Sequence, residues 1–419
     1  MKEITKYLLH FMDEEFINNN QKLWNNPIGS DNLQYTHIFF ENILNNIKKG
    51  EIEYQKKYSF ILKQELLLTK TEFPKSDDYN YIPQSIRNNL ENKSKKGYHY
   101  KFSIFEQEID LYIIYPLEKY EDINITTNNK WSTFFNLCLY KIYLWLYVVY
   151  PYKNKVCSQQ LKIYLYFTEI PKLLDNKKSI VLNQEMVNTA FTYPCRIKDT
   201  IIIFRQEEWF KVLIHESFHC LGLDYSNSLQ LDNFSKIKIS ELFTIKSDIL
   251  LSETYTELNA EILNVIFYIF FSTKKNNDVE NYNKICFKKF EKYMNYEQIF
   301  SCFQCAKVLH YNKTTYQEII SKKENNFKEE TNVFVYYILK SILITNYIEY
   351  LEWIKNKNNG SLRIIQTEKH INSFIDLIRK NYMNSNYLQK MEFMENWFKN
   401  NKNKNSIESK TLRMSLIEL

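Results

Sequence analysis

The chain has 419 residues, of which 44 % are hydrophobic and 16 % aromatic, and this composition excludes a largely disordered protein. Its formal net charge of +6 arises from 55 basic and 49 acidic residues, a balance too even to indicate a nucleic-acid-binding surface. Only 5 glycines and 7 prolines are present, so tight-turn residues are scarce and a helix-rich fold is expected.

The first 95 residues are predicted to form an N-terminal helical accessory region. The opening segment, MKEITKYLLHFMDEEF, is amphipathic and lacks both the long apolar run and the cleavage site of a signal peptide. Seven cysteines are scattered along the chain without a disulfide framework, which is typical of a reducing compartment. We therefore expect an intracellular protein that is not secreted.

The pattern changes to strands at about residue 96. The segments YHYKFSIF and EIDLYIIYP are predicted to form a hairpin that turns near Glu106 and Gln107. The apolar stretch that follows, over residues 134–151, is interrupted by Lys141 and ends at Pro151, which favours a buried helix over a membrane span. A buried strand LKIYLYFTEIP, an edge segment VNTAFTYPC and a strand TIIIFR are expected next.

The helix QEEWFKVLIHESFHCLGL contains the pattern H-E-x-x-H. Its start is acidic, and Gly222 stands where the helix is expected to end. His215 and His219 are four residues apart, so both imidazoles project from one helix face and can bind one zinc ion. Glu216 lies about 100° further round the helix axis, where it can take a proton from a zinc-bound water.

A catalytic zinc site needs a third protein ligand and one position open for water. In the metzincin pattern this ligand is a histidine three residues after the motif glycine, but Tyr225 occupies that position here. The next apolar helix carries Glu253, Glu257 and Glu261 at four-residue spacing. Carboxylates on so apolar a helix require partners, and a metal ion with its histidine ligands would be one.

These residues resemble the gluzincins, the thermolysin-like zinc peptidases in which a glutamate from a following helix joins the two histidines. The resemblance implies Glu253 as the third ligand. It also implies that Glu257, four residues later in ETYTE, hydrogen-bonds a ligand histidine. Ser252 precedes Glu253 where thermolysin-type chains usually carry Asn or another small polar residue, and Glu257 remains open as the alternative ligand.

Residues 185–270 also look like the predicted zinc peptidases of large and giant DNA viruses, whose AT-rich composition this chain shares. The implied fold is α+β and helix-rich, with a zincin-like core over residues 96–272 whose small mixed sheet packs on the H-E-x-x-H helix. A helical C-terminal subdomain over 273–400 and a polar, disordered tail over 401–419 are expected to follow.

The implied activity is hydrolysis of peptide bonds in a protein or peptide substrate, most simply as an endopeptidase. Zn²⁺ is the implied cofactor and Glu216 the general base. The place of action would be the host cytoplasm or a virion. No membrane association is expected, no specific nucleic acid is predicted as a partner, and the sequence indicates no oligomeric state.

Two other function classes remain open. The first is a non-catalytic virion or host-interaction protein with a structural zinc site, which a fourth ligand would close; Asp224 and Glu257 are the candidates. The second is a nucleic-acid-associated protein that uses the basic excess.

Two weaker signals concern residues outside the motif helix. Tyr336, Tyr337 and His310 are candidates for stabilising an oxyanion. Cys302 and Cys305, in CFQC, are expected to pack in the core, because residues three apart in a helix commonly share a buried face.

Overall fold

The computed structural model describes residues 2–24, 30–116, 128–174, 181–274, 278–321, 323–401 and 405–419. They form a helix-rich α+β protein with one six-stranded mixed sheet, which confirms the predicted fold class at this level. The chain divides into two compact units. The first comprises Met1–Asn42, Lys172–Val187 and Asp224–Leu419, and the second Ile43–Pro171 and Asn188–Leu223.

The helices account for most of the described residues. The α-helices are, in chain order, α1 (Glu3–Met12), α2 (Gln21–Trp24), α3 (Ser30–Lys57), α4 (Gln84–Glu91), α5 (Asn128–Val149), α6 (Gln184–Val187), α7 (Trp209–Cys220), α8 (Leu229–Ser240), α9 (Leu251–Ser272), α10 (Val279–Tyr311), α11 (Tyr316–Ile320), α12 (Lys340–Thr345), α13 (Tyr347–Lys357), α14 (Glu368–Asn381), α15 (Ser385–Asn400) and α16 (Ile407–Lys410). Five shorter helical turns are of the 3-10 or π type: Asp13–Ile17, Tyr58–Phe60, Tyr79–Tyr81, Tyr150–Tyr152 and Phe334–Leu339.

The sheet belongs to the second unit. Its strands are β1 (Leu62–Leu68), β2 (Lys95–Ile104), β3 (Gln107–Pro116), β4 (Gln160–Thr168), β5 (Ala190–Thr192) and β6 (Lys198–Arg205). They lie in the order β1-β2-β3-β4-β6-β5. β3, β4 and β6 are parallel, whereas the other neighbouring pairs are antiparallel. The predicted β2–β3 hairpin is confirmed, with Ile104 opposite Gln107, and β5 is an edge strand as expected.

Strand β1 differs from the expectation of helices throughout the first 95 residues, which is wrong here. Its sequence, LKQELLL, consists of residues with high helix propensity. The segment nevertheless pairs with β2 over its whole length, from Leu62 opposite Lys101 to Leu68 opposite Lys95. Pairing with a neighbouring strand therefore outweighs local propensity.

Helix α5 is the apolar segment for which a buried position was predicted. The stretch Thr133–Tyr152 is long and apolar enough to cross a membrane, yet 61 % of its most apolar window is buried in the protein. Within the second unit the Trp145 indole donates to the Ser217 hydroxyl of α7 at 3.0 Å, and its ring stacks on Phe218. The described part of the chain contains no clear transmembrane segment.

The last residues of the first unit are buried, which differs from the expected polar, disordered tail. Leu412, Met414 and Leu416 alternate along the segment and are at most 6 % exposed. Polar side chains of the helices satisfy its backbone: Tyr337 donates to the Leu412 carbonyl at 2.6 Å, and Glu297 accepts from the Leu416 amide at 2.8 Å. Satisfied backbone groups and buried apolar side chains together fix residues 411–418.

Candidate metal centre

Helix α7 is the element that carries the H-E-x-x-H pattern. The helix begins at Trp209, one residue after Glu208, whose φ of 57° is left-handed. The acidic residues of QEEW therefore precede the helix, whereas they were expected in its first turn. All twelve residues of α7 are buried. Gly222, with a φ of +67°, follows its end as predicted, because glycine adopts this conformation without a Cβ clash.

The imidazole rings of the two α7 histidines approach each other through their Nε2 atoms. His215 is 6 % and His219 7 % exposed, and their Nε2 atoms are 3.2 Å apart. Two imidazoles on one tetrahedral zinc ion, each about 2.0–2.1 Å from the metal, place their nitrogens about 3.3–3.4 Å apart. The observed spacing therefore fits a pair of ligands to a common metal ion.

Glu253, in the first turn of α9, completes a group of three possible ligands. His215, His219 and Glu253 each offer one ligand atom, and these atoms all lie within 4.8 Å of one another. The group could hold a metal ion. One carboxylate oxygen of Glu253 accepts a hydrogen bond from the Tyr336 hydroxyl at 2.9 Å. Such a bond fixes the orientation of a ligand carboxylate.

The other two glutamates of α9 do not join this group. Glu257 is 1 % exposed. Glu261 is fully buried and forms an ion pair with Lys340, 2.5 Å away, whose ammonium also donates to the Met414 carbonyl. Burial holds the pKa of Glu261 well above its ordinary value, and the charge of Lys340 opposes this shift. The stripe predicted from four-residue spacing thus contains one member of the ligand group and one buried ion pair.

The C-terminal end of α7 is fixed by two loops of the second unit. The carbonyls of His219, Cys220 and Leu221 accept hydrogen bonds from the Cys195 amide, the Ser158 hydroxyl and the Asn154 amide respectively, at 3.2, 2.7 and 2.9 Å. The His219 carbonyl also accepts from the Gly222 amide at 3.1 Å. The loops thus supply partners for carbonyls at the end of the helix, where the regular helical hydrogen bonds stop. A disulfide between Cys157 and Cys195 joins the two loops.

This disulfide differs from the expectation that the cysteines form no pairs. The two cysteines are 38 residues apart in sequence, and nothing in their flanking residues marks them as partners. Burial of the five remaining cysteines agrees with a packing role, and Cys302 and Cys305 are fully buried as expected. Burial also raises the pKa of both of these thiols.

The remaining candidates lie outside the ligand group. Asp224 is 1 % exposed and accepts from Thr256 and Ser226. The Tyr337 hydroxyl donates to the Leu412 carbonyl. His310, at the end of α10, is exposed and stacks on the ring of Phe398.

Sequence reasoning missed the features that support the motif helix. The hydroxyl of Ser217 donates to the Leu213 carbonyl at 2.6 Å within α7 and accepts from Trp145. Ser217 occupies one of the two variable positions of H-E-x-x-H, and this position was the signal in the sequence that could have identified it. The pair Tyr336 and Glu253 is 83 residues apart, and no local pattern predicts that contact.

Known proteins provide no family for this chain. No protein-family model, no curated protein and no solved structure matches it. The function must therefore be inferred from the residues of the site itself.

Proposed function

We propose that the chain is a zinc-dependent peptidase of the gluzincin type. The observation that carries the proposal is that Glu253 of α9 lies beside His215 and His219, the two histidines of the motif that also contains Glu216. Within the described ranges no further His, Cys, Asp or Glu belongs to this group. Three protein donors leave one coordination position free, which favours a catalytic site over a closed structural one.

The donor set fits zinc by its chemistry. Two imidazole nitrogens and one carboxylate oxygen are typical of catalytic zinc, whereas magnesium and calcium prefer oxygen donors throughout. When bound, a zinc ion polarises a substrate carbonyl and makes water more acidic. His215, His219 and Glu253 would hold it.

Glu216 is the proposed general base. It lies next to His215 on α7 and is 7 % exposed, so its carboxylate is largely shielded from bulk solvent. A carboxylate in this position accepts a proton from the attacking water and then donates it to the leaving amine of the peptide. Because the proton stays on one side chain between the two steps, no second acid is required.

Tyr336 is the proposed positioning residue of the site. Its hydrogen bond to one oxygen of Glu253 restrains the orientation of that carboxylate. Of the three residues considered for stabilising an oxyanion, Tyr336 is the one whose contact with a member of the ligand group is observed. We therefore propose that Tyr336 acts by orienting the carboxylate of Glu253.

Strand β5 is the proposed binding edge for an extended peptide. It ends the sheet, it is antiparallel to β6, and α7 packs against both strands. A peptide can add to such an edge through backbone hydrogen bonds, which need no particular substrate sequence. The zincin-like core proposed for this chain has a small mixed sheet packed on the motif helix, and the packing of α7 on β5 and β6 supports this part of the proposal.

The test combines zinc content with peptide cleavage in three proteins. Wild type and Glu216→Gln should each retain zinc, and His219→Ala should lose it. Cleavage of a mixed peptide library should fall about 10²–10⁴-fold in Glu216→Gln, because the variant keeps the metal ion but loses the base. Cleavage by Glu216→Gln at the wild-type rate would refute the mechanism. Zinc in wild type without any cleavage would instead support a structural site.

A further inference from the structure

A cavity of about 580 Å³ lies in the first unit and shares no residue with the candidate metal centre. The end of α10, the loop before α11, helix α15 and the region of α16 supply its walls. Its volume is within the range of small-molecule sites, about 300–1,000 Å³. The cavity is therefore large enough for a metabolite.

Lysines dominate the charge of this cavity. Lys307, Lys313, Lys399 and Lys410 all line it, and none of them has a carboxylate within 4.0 Å among the described residues. These four lysines concentrate basic side chains around one cavity, which favours an anionic ligand.

Lys307 is the strongest individual signal, because it is the buried member of the set. Its side chain is 2 % exposed and, within the described ranges, donates a single hydrogen bond, to the Thr411 carbonyl at 2.7 Å. Its Nζ atom also lies 4.9 Å from the centre of the Phe303 ring. An ammonium group has three donors, so this lysine can still donate to a ligand. Burial holds the pKa of Lys307 well below its ordinary value, and the more distant Glu408 opposes that shift only in part. A bound anion would compensate a buried charge of this kind.

The two acids of the cavity offset the charge of the lysines only in part. Glu318 accepts from the Thr314 hydroxyl and the Thr315 amide, both at 2.8 Å, and so caps α11. The hydrogen bond from the Thr314 hydroxyl holds the pKa of Glu318 below its ordinary value, and the positive charge of Lys399 contributes to this shift. Glu395 accepts from the Tyr316 amide at 2.6 Å, and burial raises the pKa of its carboxyl group, which favours the uncharged form. Both carboxyl groups already have structural partners.

The rest of the lining is apolar or weakly polar. Phe398 is 7 % exposed, with the ring of His310 stacked over it at 5.8 Å, and Leu174 and Tyr311 add further apolar surface. We propose that this cavity binds a small organic phosphate, with the phosphate group paired to Lys307, Lys399 and Lys410 and the organic part against Phe398. A phosphate carries up to two negative charges and matches several lysines better than a single carboxylate does.

The experiment is calorimetric titration of the full-length protein with phenyl phosphate and, separately, with inorganic phosphate. Wild type should bind both, and phenyl phosphate more tightly, because its ring buries apolar area. The double variant Lys399→Gln/Lys410→Gln should weaken phenyl phosphate binding about ten-fold or more, since it removes two charge-assisted contacts. Lys307→Met should weaken phenyl phosphate binding to a similar extent, because it removes the buried lysine of the site.

Two controls separate this site from other anion binding. Lys284→Gln removes an exposed lysine from the same helix, α10, and should leave the affinity unchanged. His219→Ala should also bind normally, which excludes binding of the phosphate to a metal ion. No binding by wild type at millimolar concentration, or equal binding by wild type and the double variant, would overturn the proposal. Circular dichroism identifies a variant that fails to fold. If either the double variant or Lys307→Met fails to fold, the affinity of the other one tests the proposal.

Discussion

Two glutamates of α9 illustrate how the same residue type on one helix comes to serve different purposes. Glu253 is partly exposed, accepts from a tyrosine hydroxyl and belongs to the ligand group. Glu261, eight residues later, is fully buried and paired with Lys340. Sequence spacing treats them alike. What separates them is the neighbour supplied by another element: a hydroxyl for Glu253 and an ammonium for Glu261.

The largest expected effect comes from breaking the buried ion pair. Lys340→Met should lower the free energy of unfolding by about 3–5 kcal/mol at pH 8, because it leaves the Glu261 carboxylate buried without a cation. The loss should be smaller at pH 5, where Glu261, whose pKa is raised in the folded protein, can take up a proton. Urea denaturation at the two pH values measures both quantities.

The control for this prediction is the double variant Glu261→Leu/Lys340→Met. Replacing a buried ion pair by apolar residues is often close to neutral, so the double variant should recover most of the lost stability. A double variant as unstable as Lys340→Met alone would show that the bond from Lys340 to the Met414 carbonyl, not the ion pair, is the important contact.

Glu329 can be compared with Glu261, because its carboxyl group is also shielded from solvent but has no cation within 4.0 Å among the described residues. Burial raises its pKa to about 7, although the Phe334 amide donates to it at 2.6 Å. The folded state therefore binds a proton more tightly than the unfolded state. The contribution to stability is fully present below about pH 4.5 and is lost as the pH rises through about 7.

We therefore expect wild type to lose at most about 3 kcal/mol of stability from Glu329 between pH 4.5 and 8. Glu329→Gln keeps an acceptor for the Phe334 amide and removes the titration. Wild type should therefore lose stability relative to Glu329→Gln as the pH rises from 4.5 to 8. A difference independent of pH would contradict the assignment.

The hydrogen bond from Tyr336 to Glu253 leads to a smaller expected effect, which concerns the affinity for zinc. Tyr336→Phe should weaken zinc binding about 10–100-fold, because the ligand carboxylate loses the partner that orients it. Competition with a chromogenic chelator measures this change. Tyr337→Phe is the matched control: it removes a hydroxyl that bonds the Leu412 carbonyl, so it should lower stability and leave zinc affinity unchanged.

The smallest expected effect concerns Gly222, at the end of the helix that carries the histidines. Gly222→Ala should cost about 1–2 kcal/mol for the left-handed backbone alone. A Cβ at this position would also lie 2.8 Å from the Cys157 sulfur. Gly360→Ala is the control, since Gly360 has a similar φ of +66° and a nearest contact at 3.7 Å. Thermal unfolding should show the larger loss for Gly222→Ala.

The sequence predicted the parts of the molecule that are encoded locally. Helical spacing placed His215 and His219 on one face, and alternation located the strands from β2 to β6. β1 was missed because LKQELLL has the propensity of a helix and becomes a strand only through pairing with β2. The disulfide and the contact of Tyr336 with Glu253 depend on residues that are distant in sequence.

The C-terminal segment is an intermediate case. Alternation of Leu412, Met414 and Leu416 was a visible signal for a buried extended segment, but the polar run before it suggested a disordered tail. Burial of Arg413 could not be expected from periodicity, although Glu418, its ion-pair partner, is only five residues later. The contact between Glu297 and the Leu416 amide is long-range, and periodicity does not encode it.

The most direct test is the zinc content of four proteins, measured by elemental mass spectrometry: wild type, Glu253→Gln, Glu257→Gln and Glu261→Leu/Lys340→Met. About one zinc ion per chain is expected in wild type, in Glu257→Gln and in the double variant, and a large loss only in Glu253→Gln. Full zinc content in Glu253→Gln, or zinc loss in Glu257→Gln, would contradict the ligand set of His215, His219 and Glu253.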